Sequence, residues 1–272
     1  MVRWQFSSPS AKNLSRVAAL KARGDGTRVL AVLLEAPWWG NREIAKADVD
    51  RYRESVRQNV AVLSALGVHH YEIWNEPDLP QFWPGPRSGA RYARFLKAAY
   101  PVIKQIDPKA VVISAGVTNN NYAFVREMYQ AGGGRFLDAV GTHVYPQGRA
   151  GGCSATAAGR RAQLCGVQMI HNVMRDYGDA GKRVWLTEFG RWVCADSPTR
   201  GCVDPAPQAS FVTNSYAYLR QFPFLRAAFW FSDFDYGSER RRYGLRDADL
   251  GERPGFDRFR REAVAWRAQA AW

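Results

Sequence analysis

Short apolar runs alternate with longer helical patterns along the whole chain, and this alternation limits the possible folds more than any other feature. The apolar runs, rich in β-branched and aromatic residues, cover residues 2–6, 28–34, 70–74, 110–115, 139–143, 183–187 and 227–231. Strands separated by helices in strict succession form right-handed βαβ units and a parallel sheet. The sequence therefore predicts an α/β fold with seven strands.

Seven helices are predicted between and after these strands. The clearest begins at Asp48, a good N-cap residue, repeats apolar side chains on one face and ends at Gly67. Another begins near Ser88 and ends before Pro108. Weaker helical patterns cover residues 13–22, 122–130, 163–177, 208–220 and 256–267. Residues 148–159, rich in small side chains, are predicted to be a surface loop.

Periodicity alone does not distinguish an open, doubly wound sheet from a closed barrel. A dinucleotide-binding sheet would carry Gly-x-Gly-x-x-Gly after its first strand, but residues 7–10 read Ser-Ser-Pro-Ser. Chemically active residues also follow several strands instead of one switch point. We therefore predict a TIM-type (β/α)₈ barrel, formed by residues 1–272 as a single domain, in which the first strand is missing.

The chain is strongly basic, with a formal net charge of +13. Arginines are spread through the predicted helices, with a denser cluster at residues 240–242. This pattern favours a solvated basic surface over a polyanion-binding face, and no nucleic-acid-binding motif is found. No apolar run reaches the ~18 residues that a membrane-spanning helix needs. We expect a monomer that binds no nucleic acid.

Four cysteines, Cys153, Cys165, Cys194 and Cys202, are confined to one part of the sequence. A zinc site would need Cys-x₂₋₄-Cys pairs, and these spacings are longer. Two local disulfides are therefore predicted, which indicates an oxidising compartment and a secreted or cell-envelope protein. The chain nevertheless starts without an apolar signal segment, so we expect a processed or incomplete start.

Two of the predicted strands end in a glutamate. Residues 70–74 are followed by Asn75, Glu76 and then a proline, which cannot continue the ladder because it has no N–H. Residues 183–187 are followed by Glu188. One such glutamate is more often solvated or salt-bridged than catalytic. Two at matching ends of parallel strands favour a pair of catalytic carboxylates at the C-terminal mouth of a barrel.

The residues around these acids resemble those of clan A glycoside hydrolases, which are retaining enzymes on (β/α)₈ barrels. Residues 74–77 read Trp-Asn-Glu-Pro, and residues 187–190 read Thr-Glu-Phe-Gly. Within the clan, residues 72–78 are similar to β-xylosidase-type family 39, and cellulase-type family 5 is also close. The resemblance extends over nearly the whole chain. It implies that Glu76 is the acid/base and Glu188 the nucleophile.

Three neighbouring residues acquire roles through the same resemblance. Asn75 would bind the sugar 2-hydroxyl, although an Asn at this position also suits a simple turn. Tyr145 would contact the nucleophile and hold it for attack, and His143 would line the sugar pocket. The alternative for His143 and Tyr145 is a structural role at the barrel rim.

Arg3 matches the arginine on strand two of the clan, which lies under the nucleophile and favours its ionised form. If residues 2–6 are strand two, strand one lies upstream of Met1. An N-terminally shortened chain would then explain both the seven strands and the missing export signal. The alternative for Arg3 is an exposed side chain near a frayed terminus.

Four tryptophans near predicted strand ends are candidate sugar-binding residues, because flat aromatic faces suit pyranose rings. Trp230 matches the clan's tryptophan on strand eight, under the sugar at the cleaved bond, so a subsite role is preferred there. Trp38, Trp39 and Trp83 are candidates for further subsites, with packing against the barrel rim as an open alternative.

The sequence thus predicts a retaining O-glycosyl hydrolase that cleaves β-glycosidic bonds of an oligo- or polysaccharide by double displacement. The mechanism needs no cofactor, and no metal site is predicted. The alternative function is a barrel that binds a saccharide or cell-wall polymer without cleaving it.

Overall fold

The computed structural model describes residues 1–7, 10–194, 201–236 and 242–269. Seven parallel strands form one sheet in chain order, which confirms the predicted α/β barrel-type fold. They are β1 (Val2–Phe6), β2 (Val29–Leu33), β3 (His70–Ile73), β4 (Val111–Ser114), β5 (Ala139–Val144), β6 (Arg183–Phe189) and β7 (Leu225–Trp230). Within the described residues the sheet is a half-barrel with β1 and β7 at its edges.

Helices follow each strand along the chain and pack outside the sheet. They are α1 (Ala11–Ala22), α2 (Lys46–Ala65), α3 (Gly89–Ile106), α4 (Tyr122–Gln130), α5 (Ala157–Arg161), α6 (Val167–Asp176), α7 (Pro205–Leu219) and α8 (Pro254–Gln269). The short helix α5 corrects the prediction of a loop without its own element at residues 148–159. None of the helices in the described ranges is long and apolar enough to cross a membrane.

The start of α2 differs from the sequence prediction. Asp48 is not the N-cap but lies in the first turn, where its Oδ2 accepts the N–H of Ala45 at 2.7 Å. Asp48 also accepts the indole N–H of Trp38 at 2.8 Å and both guanidinium nitrogens of Arg42 at 2.6 Å. The carboxylate therefore fixes the loop before α2 from within the first turn, instead of serving as the N-cap.

Alternation along the strands separates two apolar layers. Side chains such as Ala31 and Leu33 face the helices and belong to the large outer core. A smaller cluster on the other face of the sheet takes one residue from each of five strands: Leu30, Ile113, Ala139, Trp185 and Ala227. This inner cluster fills the half-barrel with packed apolar side chains. The buried polar side chains of the strands lie toward the C-terminal ends.

Both predicted disulfides are present. Cys153 is bonded to Cys165 with a Cα–Cα distance of 5.8 Å, and Cys194 is bonded to Cys202 with 4.9 Å. The first closes part of the segment after β5, and the second closes part of the segment after β6. Of the basic cluster at residues 240–242, Arg240 and Arg241 lie outside the described residues.

Candidate active site

The two glutamates predicted as a pair meet at the C-terminal ends of their strands. Glu76 follows β3 and Glu188 is the penultimate residue of β6. One carboxylate oxygen of each lies within 4.8 Å of the other. Their side chains are 12% and 10% exposed, so both are largely withdrawn from water but still accessible. Parallel β-strands thus place two acids from distant parts of the sequence on one small surface.

Glu188 is held as a carboxylate by two side chains. Arg3 on β1 binds Oε1, and the hydroxyl of Tyr145 donates to Oε2. Burial alone would raise the pKa of Glu188, but the charges of His143 and Arg3 and the hydrogen bonds from Tyr145 and Arg3 outweigh it and lower this pKa below its ordinary value. The lowered pKa favours the ionised form of Glu188 at neutral pH.

Beneath this pair lies a third carboxylate, Glu72, which was not predicted as a site residue. Its side chain is completely buried and accepts hydrogen bonds from Arg3 Nε at 2.6 Å, Arg3 Nη2 at 3.1 Å and the backbone N–H of Gly116 at 2.9 Å. Thr187 Oγ1 lies 3.0 Å from Glu72 Oε1. The ion pair with Arg3 and these further donors compensate the burial of the carboxylate. The detectable signal in the sequence was a lone acid inside an apolar strand, between Tyr71 and Ile73.

His143 connects the acids. Its Nδ1 lies 2.8 Å from Glu76 Oε1 and 3.6 Å from Glu188 Oε2, and its Nε2 lies 3.0 Å from Thr187 Oγ1. Burial alone would lower the pKa of His143, but the charge of Glu188 and the hydrogen bond with Glu76 raise it above the ordinary value. Gly116 makes room for the ring, because a Cβ there would collide with the imidazole.

The loop that carries Glu76 is fixed on both sides. The backbone N–H of Glu76 donates to Gly116 O at 3.2 Å, and its φ of 41° lies in the left-handed region. The side chain of Asn75 accepts from Arg3 Nη2 at 2.7 Å. Asp78 accepts the hydroxyl of Thr118 at 2.7 Å and the side-chain amide of Asn121. These bonds orient the Glu76 carboxyl toward His143 and Glu188.

A sequence comparison with protein families matches residues 39–248 to the model of the glycosyl hydrolase catalytic core. The chain belongs to the glycosyl hydrolase catalytic core family. The matched region contains both glutamates, His143 and Tyr145, whereas Arg3 precedes it. No curated protein sequence matches the chain significantly.

Solved structures of glycoside hydrolases share the fold of this catalytic core. A family 39 glycoside hydrolase from the gut symbiont Bacteroides cellulosilyticus WH2 has a TM-score of 0.72 at 18% identity, covering 99% of this chain and 58% of that enzyme. A GH5_18 protein from Streptomyces cattleya, solved with GlcNAc, has a TM-score of 0.71 at 15% identity, covering 99% and 72%. A monomeric β-xylosidase from Caulobacter crescentus CB15 has a TM-score of 0.65 at 20% identity, covering 91% and 54%. The chain thus spans little more than half of the first and third of these proteins.

Two of the four tryptophans predicted as sugar-binding residues lie in the core of this glycosyl hydrolase fold instead. Trp39 and Trp83 are 2% and 1% exposed, and their ring centroids are 5.1 Å apart. They pack with Trp74 and Phe95 in an aromatic cluster between the sheet and the helices. A sugar cannot stack on faces that other rings already cover, so the subsite prediction for Trp39 and Trp83 is wrong.

Trp38 lies at the edge of the same cluster and is partly exposed. Its ring meets Trp39 edge-on at 5.1 Å, and the guanidinium carbon of Arg51 lies 4.4 Å from its centroid. With its indole N–H bound to Asp48 and one face bound to a cation, Trp38 is fixed in place. Its role as a sugar platform stays a prediction.

Trp230 also faces away from the acids. It packs edge-on against Phe189 at 5.4 Å and donates its indole N–H to Tyr243 O at 3.2 Å. Side chains alternate along a strand, so the residue that follows Trp230 faces the other way. Phe231 contacts Tyr145 at 5.9 Å and Tyr243 at 5.5 Å and is partly exposed. The aromatic face at the mouth is therefore that of Phe231, not Trp230.

One group of side chains in the described residues has the composition of a metal site. It consists of Glu76, His143 and Glu188. The oxygens of Glu188 are already bound by Arg3 and Tyr145, and the Arg3 guanidinium supplies positive charge beside them. Such an arrangement favours an anion stabilised by protein donors over one that coordinates a cation. That the site works without a metal remains a prediction.

Proposed function

We propose that this catalytic core hydrolyses β-glycosidic bonds of an oligo- or polysaccharide with retention, by double displacement. The observation that carries the proposal is the separation of the two glutamates, with one oxygen of each within 4.8 Å of the other. Retaining glycosidases need two carboxyl groups ~5–5.5 Å apart, whereas inverting enzymes need ~6.5–9.5 Å to admit a water molecule.

The environments of the two acids match two different roles. Glu188 is kept ionised by Arg3 and Tyr145, as an attacking nucleophile must be. Glu76 lies against the ring nitrogen of His143, where a proton can be held. In the first step Glu188 would attack the anomeric carbon while Glu76 protonates the leaving oxygen. In the second step Glu76 would take a proton from the water that releases the sugar.

Other parts of the site support a sugar as the ligand. Asn75 lies beside Glu76 with its amide oxygen bound to Arg3, so its NH₂ group is oriented for a hydroxyl such as the sugar 2-OH. The partly exposed ring of Phe231 offers an aromatic surface for a pyranose face. Two disulfides favour export to an oxidising compartment as the setting of this activity.

The test is hydrolysis of a panel of aryl β-glycosides and β-linked polysaccharides, with the products followed by NMR. The panel should include xylosides and galactans, because a β-xylosidase and two fungal β-1,4-galactanases have similar folds. The proposal expects the β-anomer to appear first and to mutarotate later. Initial release of the α-anomer would refute retention. Saturable binding without any sugar release would favour the non-catalytic alternative.

A further inference from the structure

A chain of hydrogen bonds runs from Glu72 through Thr187 and His143 to Glu76, and its polarity can be deduced from the donors available. Glu72 is completely buried and is bound by Arg3 and by the N–H of Gly116, so it is an anion that can only accept. The hydroxyl of Thr187 must therefore donate its hydrogen to Glu72 Oε1, over 3.0 Å.

This donation decides which nitrogen of His143 carries a hydrogen. A hydroxyl has one hydrogen, and that of Thr187 is already used, so Thr187 Oγ1 can only accept from His143 Nε2 at 3.0 Å. His143 therefore carries a hydrogen on Nε2. The lone pair of a neutral His143 must then lie on Nδ1, which is the atom 2.8 Å from Glu76 Oε1.

A single proton is needed between Nδ1 and Oε1. With that proton present, either an imidazolium donates to the Glu76 carboxylate or a protonated Glu76 donates to neutral His143. Without it, a lone pair would face a carboxylate over 2.8 Å, which is unfavourable. The geometry thus holds one proton at this position.

We propose that Glu72 and Thr187 act as positioning residues that fix the Nε2–H tautomer of His143, so that Glu76 and His143 Nδ1 share the proton that is delivered to the leaving oxygen. This inference rests on the proposed function, since it specifies how the acid/base is kept protonated.

The charges around His143 couple this proton to the nucleophile. Glu188 Oε2 lies 3.6 Å from Nδ1 and its charge stabilises the imidazolium, while Glu72 Oε1 lies 3.9 Å from Nε2. Arg3 opposes both, because its own positive charge disfavours an imidazolium. The hydroxyl of Tyr145 donates to the same oxygen of Glu188, Oε2, that lies nearest to His143 Nδ1.

As Glu188 bonds to the anomeric carbon and the glycosidic C–O bond breaks, the negative charge of Glu188 is consumed and its stabilisation of the imidazolium is lost. In the same step the shared proton moves through the Glu76 carboxyl to the leaving oxygen. Glu76 is left as a carboxylate beside neutral His143. In the second step water attacks the anomeric carbon, the bond to Glu188 breaks, and the proton of that water restores the shared position.

The test is the imidazole ¹⁵N NMR spectrum of the substrate-free protein across pH. The signals of His143, one of four histidines, are identified by their absence in His143→Gln. In the parent chain Nε2 of His143 should stay protonated throughout, and only Nδ1 should titrate. In Thr187→Val, which lacks the acceptor, neutral His143 should switch to the Nδ1–H tautomer and donate to Glu76. Thr187→Ser, which keeps the hydroxyl, should behave as the parent.

The pH profile of kcat/KM gives a second readout that a purely structural role would not change. In Thr187→Val the deprotonated state gains an Nδ1–H···Glu76 bond, so the basic limb should move down by about one pH unit. Thr187→Ser should leave it in place. An Nδ1–H tautomer of His143 in the parent chain would overturn the proposal. So would a basic limb of kcat/KM at the same pH in Thr187→Val and Thr187→Ser. Because the NMR needs no turnover, absence of hydrolysis would instead count against the proposed function alone.

Discussion

The guanidinium of Arg3, on the first strand, is bonded to the carboxylate of Glu188, on the sixth, across 185 positions of the sequence. Both side chains are only 10% exposed, so the pair is screened little by solvent. The same guanidinium binds Glu72 with its Nε and Nη2 atoms. One cation thus pairs with two carboxylates, and its loss should affect stability and chemistry together.

Arg3→Met is expected to destabilise the fold by about 3–5 kcal/mol, because it leaves the buried Glu72 charge without its partner. Urea unfolding followed by tryptophan fluorescence measures the change. In the double variant Arg3→Met with Glu72→Gln, much of that loss should be recovered, since the uncompensated charge is gone. Additive losses in the double variant would show that the pair does not interact in this way.

Tyr145→Phe should move the acidic limb of kcat/KM toward higher pH. The pKa of Glu188 is lowered by groups that include the Tyr145 hydroxyl, and activity requires the ionised form. Activity is therefore lost as pH falls through this lowered pKa. Removal of one donor raises the pKa of Glu188, so that activity is lost at a higher pH. A hydrogen bond to a charged group contributes about 1.5–3 kcal/mol, which corresponds to a shift of about one to two pH units.

The control for this change is Tyr177→Phe, at an exposed tyrosine that stacks on Tyr129 away from the acids. Its pH profile should coincide with that of the parent chain. An unchanged acidic limb in Tyr145→Phe would show that the hydroxyl does not stabilise the attacking carboxylate.

Glu188→Gln should abolish turnover, with a loss of about 10⁴-fold or more, because a neutral amide cannot form the glycosyl-enzyme. In the parent chain, a 2-fluoro glycoside should add its sugar mass to the peptide that contains Glu188. The matched control is Glu35→Gln, at a glutamate beyond β2 that interacts with Arg51 and, within the described residues, not with the paired acids. Full activity in Glu188→Gln, or labelling of another residue, would falsify the assignment.

The pairing of the two acids followed from strand periodicity and strand-end chemistry. Parallel strands bring their C-terminal ends together whatever lies between them, so Glu76 and Glu188 could be predicted as neighbours. His143 and Tyr145 were predicted as site residues through the resemblance to clan A glycoside hydrolases. Glu72 was missed because a sequence does not show which strand residues face inward and meet a cation. Its partner Thr187 was missed for the same reason, as hydroxyls are common on strands.

The aromatic residues could not be placed by their position near strand ends. A tryptophan serves equally well in a core or on a sugar, and the choice depends on which face of the strand or loop it occupies. A shift of one position exchanges the two faces, which is why Trp230 lies among the helices and Phe231 lies at the mouth. Trp39 and Trp83 lie in the segments after β2 and β3, which fold back so that both rings pack against Trp74 in the core.

Glu76→Ala should lower kcat by about 10²- to 10⁴-fold on substrates with poor leaving groups, since the proton donor is lost. Aryl glycosides with good leaving groups should still form the glycosyl-enzyme, which then accumulates because no base activates water. Added azide should restore turnover and yield the β-glycosyl azide. An α-glycosyl azide would instead identify Glu76 as the nucleophile and exchange the two proposed roles.

Phe231 and Trp230 offer a direct test of which aromatic ring meets the sugar. Phe231→Ala removes a partly exposed ring beside Tyr145 and should raise KM about 10-fold, as expected for loss of one aromatic contact, with a small change in stability. Trp230→Phe removes a buried indole and its hydrogen bond to Tyr243 O, so it should lower the urea midpoint and leave KM near that of the parent. Because Trp230 ends β7 with its side chain packed in the core, and Phe231 follows it with a partly exposed ring beside Tyr145, the pair of variants separates substrate contact from packing. The reverse pattern, a raised KM for Trp230→Phe alone, would place the sugar against Trp230 and contradict the position of Phe231 at the mouth.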